Sequence, residues 1–71
     1  MRVGILGGAG YTGGELIRLL LDHPKADLVQ VASSTFAGKP VFSVHPNLQG
    51  RTELVFSESL DAASLDCIFL A

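Results

Sequence analysis

A glycine-rich stretch at residues 7–14 constrains the fold of this chain more than any other feature. It has five glycines in eight positions and lies between two apolar segments. Residues 2–6 show no polar alternation, which is typical of a strand buried in a parallel sheet. Apolar residues after the glycines recur at helical spacing, so we predict a helix from Tyr11 or Thr12 to Asp22, ended by Pro24. A strand, a glycine turn and a helix in this order can bind an anion, because the first N–H groups of the helix have no partners within it.

Two glycine spacings overlap in the turn. Gly7, Gly10 and Gly13 form GxxGxxG, whereas Gly8, Gly10 and Gly13 form GxGxxG, and the spacing alone leaves both open. In either register Gly10 lies where the backbone approaches a pyrophosphate, and Gly13 where the helix packs closely on the strand. Because the motif joins a predicted strand to a predicted helix, we predict a dinucleotide site rather than a purely structural turn.

Tyr11 and Thr12 lie inside this turn and are predicted to contact the cofactor phosphate or ribose. The alternative is that Tyr11 packs on the sheet. Thr12 would then form a capping box with Glu15, which would use some of the same N–H groups.

The rest of the chain continues an α/β pattern. Residues 28–32 are predicted as a second strand, parallel to the first and connected to it by the helix. The further predicted elements are a loop at 37–40, an extended irregular segment at 41–50, a third strand at 52–56, a helical turn or irregular crossover at 59–64 and a fourth strand at 66–71. The predicted fold is a Rossmann-type parallel sheet with flanking helices, incomplete at the C-terminus. We therefore expect residues 1–71 to be the N-terminal part of an NADP-binding domain within a longer protein.

Hydroxyl side chains follow the second predicted strand, at Ser33, Ser34 and Thr35. An NAD site usually has an acidic residue there, which binds the ribose hydroxyls and repels a 2′-phosphate. Hydroxyls tolerate the phosphate, so the segment favours NADP. No arginine follows directly, and Lys39 is the nearest cation. The alternative is a polar turn without a ligand.

Charge and hydropathy exclude several kinds of partner. The net charge is −2 and the five Lys and Arg residues are scattered, so we expect neither nucleic acid nor a membrane surface as a partner. No apolar run approaches the roughly 18 residues of a membrane span, and glycines interrupt any signal-like N-terminus. A cytoplasmic location is expected, and the single cysteine, Cys67, fits a reducing compartment.

The remaining polar candidates are interpreted as structural. Cys67 lies among apolar strand residues and is predicted to be a core residue rather than a nucleophile. His45 and His23 are predicted to be a structural or solvated loop residue and a helix C-terminal residue, respectively. Arg51 is assigned to the surface, and Asp61 and Asp66 to a cap and a loop. No spacing of histidines and carboxylates suggests a metal site.

Three blocks in order, residues 3–16, 37–40 and 44–50, resemble the start of the N-acetyl-gamma-glutamyl-phosphate reductase family of arginine biosynthesis. The resemblance implies an NADPH-dependent oxidoreductase that converts an acyl phosphate to a semialdehyde and releases phosphate. It also implies a small-molecule acyl-phosphate substrate and a homo-oligomer for the full-length protein. In that family a cysteine thiolate attacks the substrate and a histidine acts as acid and base. Both are expected beyond Ala71, so no catalytic residue is assigned in this chain, which alone is expected to be inactive.

The cofactor site is what the resemblance transfers to this chain. The implied cofactor-binding residues are Gly7, Gly10, Tyr11, Thr12, Gly13, Ser33, Ser34, Thr35 and Phe36. Three other functions stay open. They are the sister reductase that acts on a carrier-linked aminoadipyl phosphate in lysine biosynthesis, another semialdehyde dehydrogenase, and a non-catalytic nucleotide-binding module.

Overall fold

The computed structural model describes residues 1–71 and contains one parallel three-stranded sheet. The strands are β1 (Arg2–Leu6), β2 (Asp27–Ala32) and β3 (Cys67–Leu70), in the spatial order β2-β1-β3. The helices are α1 (Tyr11–Leu21), α2 (Val41–Val44) and two single 3-10 turns at Pro46–Leu48 and Ala62–Ser64. The predicted α/β class with a parallel sheet is confirmed, and all three carboxyl ends meet at one edge.

β1 lies at the centre because its side chains are apolar on both faces. Val3 and Ile5 are fully buried, as is Val31 on β2. At its start β1 is tied to β3 by a reciprocal pair of bonds, in which the Arg2 amide donates to Oδ2 of Asp66 and the Asp66 amide donates to the Arg2 carbonyl, both at 2.8 Å. The structure thus gives Asp66 a specific part in strand registration.

α1 packs one face against the sheet. Ile17 and Leu20 are buried, whereas Leu19 points outward with 57% of its surface exposed. The buried apolar core draws on the sheet, on α1 and on the following segment: Val3, Ile5, Ile17, Leu20, Leu28, Val31, Val41, Leu48 and Phe56. No helix of the chain has both the length and the apolar character needed to cross a bilayer.

Two local predictions are wrong. Residues 41–50 are not extended: they form α2 and a 3-10 turn, because burying Val41 and Leu48 on one side requires the chain to coil. Residues 52–56 do not form a strand: Val55 makes an isolated bridge with Pro40, and the next residue after the segment, Ser57, makes one with Ala32.

The capping box of Thr12 and Glu15, the alternative to a cofactor contact of Thr12, does not form. α1 begins after Gly10 and has no side-chain cap, so Thr12 lies within the first turn rather than before it. Glu15 instead forms an ion pair with Arg18 at 2.9 Å on the exposed face. The first N–H groups of α1 are therefore left free of side-chain partners.

We predict that Ile17→Ala lowers the free energy of unfolding of the intact protein by about 2–5 kcal/mol, because it leaves a cavity in the core beside the glycine turn. Leu19→Ala removes a similar side chain from the exposed face of the same helix. Its effect should stay within about 0.5 kcal/mol. Urea denaturation of both variants measures the difference, and equal losses would contradict the packing described for α1.

Candidate functional site

A cleft of about 350 Å³ opens at the carboxyl ends of β1 and β2. One wall comes from the glycine turn, the other from the segment after β2, and one further residue comes from the segment beside the sheet. The lining residues are Leu6, Gly7, Ala9, Gly10, Ala32, Ser33, Ser34, Thr35 and Glu58. In open α/β sheets, ligands bind outside the carboxyl ends of the strands, and this cleft lies there.

The glycine turn is fastened to the end of β2 by one carbonyl. The amides of Gly7 and Gly8 both donate to the Ala32 carbonyl, at 3.0 and 3.1 Å. Gly7 has a φ of +89°, a conformation that side-chain-bearing residues rarely adopt. Gly7 therefore makes the tight turn, as in the GxxGxxG spacing of Gly7, Gly10 and Gly13.

Gly10 and Gly13 differ in what surrounds them. A Cβ at Gly13 would lie 2.7 Å from the Gly7 carbonyl oxygen, so the helix meets the turn at a distance that only glycine permits. A Cβ at Gly10 would meet no atom within 4 Å, because Gly10 faces the open cleft. Gly10 thus leaves the cleft open beside the first residue of α1.

Five consecutive amides at this point have no acceptor in the chain. The N–H groups of residues 9–13 make no hydrogen bond, and the first amide to find a partner is that of Gly14, which donates to the Gly10 carbonyl at 2.9 Å. Unpaired N–H groups at a helix start carry partial positive charge. The turn can therefore offer several donors to an anionic group in the cleft.

His45 forms a hydrogen bond with the backbone of the glycine turn. Its Nε2 lies 2.8 Å from the Gly8 carbonyl oxygen, and because a carbonyl only accepts, the ring is protonated at Nε2 and donates. The ring also packs edge-on against Phe56, with centroids 6.3 Å apart. The structure agrees with a structural interpretation of His45 and identifies its partner, the glycine turn.

The segment after β2 is a compact turn whose first hydroxyl is already engaged. Ser33 is buried, and its Oγ accepts the amide of Phe36 at 3.2 Å. The Ser33 amide donates to the Ser57 carbonyl at 2.9 Å. Ser34 and Thr35 are exposed and line the cleft, so their hydroxyls are the ones available to a ligand.

The structure brings together only some of the predicted cofactor residues. Gly7, Gly10, Ser33, Ser34 and Thr35 line the cleft, whereas the other four predicted residues lie outside it: Tyr11, Thr12, Gly13 and Phe36. The amides of the first three are among the free N–H groups, and the Tyr11 side chain projects outward with 87% of its surface exposed. Phe36 is half-buried near Phe56, with ring centroids 6.4 Å apart.

Sequence reasoning missed Glu58, which contributes the only charged side chain of the cleft lining. Lys39, predicted as the nearest cation to this site, is exposed and does not line the cleft. The signal that could have identified Glu58 is its position just after an extended apolar segment, since such a segment pairing beside β2 ends at the same edge of the sheet.

The remaining candidates lie away from the cleft. Cys67 is half-buried and packs against the core, in agreement with its predicted role. His23 is exposed beyond the end of α1, where its Nδ1 accepts the Lys25 amide at 3.1 Å. Arg51 forms an ion pair with Asp22. No group of three or more His, Cys, Asp or Glu side chains is arranged to hold a metal ion.

Comparison with known proteins identifies one family. Residues 2–71 match the family described as the NAD-binding domain of semialdehyde dehydrogenase. The chain is 52% identical over 69 residues to an N-acetyl-gamma-glutamyl-phosphate reductase of Parabacteroides distasonis, covering 97% of this chain and 21% of that protein. It is 54% identical over 71 residues to the reductase of that name from Acinetobacter baumannii, covering 97% and 20%.

A relative with a different printed name is almost as similar. The LysW-L-2-aminoadipate/LysW-L-glutamate phosphate reductase of Saccharolobus solfataricus is 50% identical over 74 residues, covering all of this chain and 21% of that protein. The chain thus spans about a fifth of the length of the curated relatives it matches. The predicted resemblance and the nicotinamide dinucleotide class of cofactor are confirmed at the level of the family.

We predict that Gly14→Ala destabilises this protein, although glycine to alanine within a helix usually stabilises by about 0.5–1 kcal/mol. The added Cβ would lie 2.7 Å from the His45 ring, which the Gly8 carbonyl and Phe56 hold in place. Displacing the ring costs its hydrogen bond, so the free energy of unfolding should fall by about 1 kcal/mol.

A double-mutant cycle isolates this effect. In a His45→Ala background the obstruction is gone, and Gly14→Ala should then be neutral or stabilising in thermal denaturation. If Gly14→Ala had the same effect in both backgrounds, the contact between His45 and the glycine turn would be disproved.

Proposed function

Because the chain belongs to the family of semialdehyde dehydrogenase NAD-binding domains, we propose that residues 1–71 hold the dinucleotide of an acyl-phosphate reductase. The observation that carries the proposal is the run of free amides at residues 9–13, which begins in the lining of a cleft at the carboxyl edge of the sheet and continues into the first turn of α1. Any α-helix leaves its first four N–H groups unpaired, and what favours a ligand here is that these groups start beside Gly10, which lines the open cleft and where a Cβ would meet no protein atom.

The residues of the cleft fit the pyrophosphate and adenosine part of a dinucleotide in their chemistry. The pyrophosphate would accept hydrogen bonds from the free amides beside Gly10, where no side chain fills the space. The adenosine ribose would lie toward Ser34 and Thr35, across the cleft. The other contacts to the dinucleotide would come from backbone atoms, which fits the glycines and alanines of the lining.

The proposed cofactor is NADP rather than NAD. Ser34 and Thr35 offer hydroxyl donors at the end of β2, where NAD sites usually present a carboxylate. When bound, the nicotinamide supplies the hydride that reduces the acyl group to an aldehyde. This chain's residues contribute binding and orientation, since neither Cys67 nor either histidine lines the cleft.

The proposed reaction of the intact protein is the reduction of N-acetylglutamyl 5-phosphate to the 5-semialdehyde with release of phosphate, a step of arginine biosynthesis. The names of the relatives from Parabacteroides and Acinetobacter support this substrate. The Saccharolobus relative supports the alternative, a LysW-linked aminoadipyl or glutamyl phosphate. We further propose that the intact protein is cytoplasmic, because its reaction involves only small molecules, and that it is a homo-oligomer, as the family resemblance implies.

The reaction can be measured in reverse with the intact protein. N-acetylglutamate 5-semialdehyde, phosphate and NADP should together yield NADPH, detected by its absorbance, and omission of phosphate should abolish the signal. Activity only with the LysW-linked semialdehyde would select the alternative substrate. Dinucleotide binding without either activity would indicate a non-catalytic module.

Gly10→Val should abolish detectable binding of NADPH while leaving the fold intact. Gly10 has a φ of −76°, which valine adopts, and its Cβ would meet no protein atom, so only a ligand in the cleft is obstructed. Fluorescence titration of the intact protein measures binding, and circular dichroism checks the fold. Ala63→Val, on an exposed 3-10 turn, is the matched control. Unchanged affinity in Gly10→Val would show that the turn is only structural.

A further inference from the structure

Glu58 is held at the mouth of the cleft by the backbone of the residue before it. The Ser57 amide donates to the Val31 carbonyl at 2.9 Å, and the Ser57 carbonyl accepts the Ser33 amide at 2.9 Å. These bonds join residue 57 to the end of β2 as an additional short strand would. Glu58, which is exposed, therefore lines the cleft on the side that also carries Ser34 and Thr35.

No cation neutralises this carboxylate. The ion pairs of the chain join Arg18 to Glu15 and Arg51 to Asp22, and neither involves Glu58. No lysine or arginine is among the residues lining the cleft. A ligand entering on this side thus meets one uncompensated negative charge.

We propose that Glu58 is a specificity-determining residue, which opposes the 2′-phosphate of NADP and so restrains the preference of this site for NADPH over NADH. The inference rests on the proposed function, because it requires the adenosine ribose to lie beside Ser34 and Thr35. With NADH, the carboxylate accepts hydrogen bonds from the ribose hydroxyls. With NADPH, it faces a group of the same charge, so the exposed hydroxyls and the carboxylate act in opposite directions.

The expected effect of Glu58 on dinucleotide preference follows from the charges of the carboxylate and the 2′-phosphate. A phosphate monoester carries a charge of about −1.5 to −2 at neutral pH. Repulsion between unit charges about 4 Å apart in water changes a dissociation constant by roughly fivefold, and salt weakens it. Removing the Glu58 charge should therefore raise the ratio of the NADH to the NADPH dissociation constant by roughly five- to tenfold.

Fluorescence titration of the intact protein with each dinucleotide tests the proposal in wild type, Glu58→Gln and Glu58→Lys. The ratio should rise in Glu58→Gln and rise further in Glu58→Lys. The difference from wild type should shrink at about 1 M salt, where the Debye length is about 3 Å. Glu53→Gln removes an exposed carboxylate outside the cleft and should leave the ratio unchanged.

The outcomes separate this inference from the function on which it rests. Wild type that binds both dinucleotides, with the same ratio in all variants, would overturn the role of Glu58 and leave the cofactor site standing. An equal rise in Glu53→Gln would also overturn it, since the effect would then reflect net charge. Failure of folded wild type to bind either dinucleotide would overturn both.

Discussion

The double hydrogen bond to the Ala32 carbonyl is the interaction on which the site depends. By accepting the amides of both Gly7 and Gly8, this oxygen fixes the exit of β1 against the end of β2. The Gly7 and Gly8 amides are thereby hydrogen-bonded within the chain, so the unpaired amides begin at residue 9. The left-handed conformation of Gly7 makes this geometry possible, and the amides of residues 9–13, which start in the cleft lining, are left without partners.

The segment after β2 acts as a support for that turn rather than as a simple connection. α2 and the 3-10 turn that follows it bring His45 to the Gly8 carbonyl, while Val41 and Leu48 anchor the same segment in the core. The block of sequence around His45 that resembles the reductase family is thus explained by contact with the glycine turn. A segment distant in sequence thus helps to fix the conformation of the glycine turn.

The sequence was sufficient for β1, α1, β2 and β3, because apolar periodicity and the glycine turn are local signals. It failed at residues 41–50 and 52–56, whose conformations are set by burial against the sheet and not by their own pattern. Glu58 was missed for the same reason, since its place in the cleft depends on a bridge between Ser57 and Ala32 that joins distant parts of the chain. His45 was correctly judged structural, but its partner could not be read from spacing.

We propose that the free amides at the start of α1 bind the pyrophosphate of the cofactor. A crystal structure of the intact protein with NADPH tests it most directly. We expect pyrophosphate oxygens within about 3 Å of amide nitrogens in residues 9–13, the hydrogen-bond distance, and the adenosine ribose beside Ser34 and Thr35. A pyrophosphate bound elsewhere, with these amides facing only water, would contradict the account.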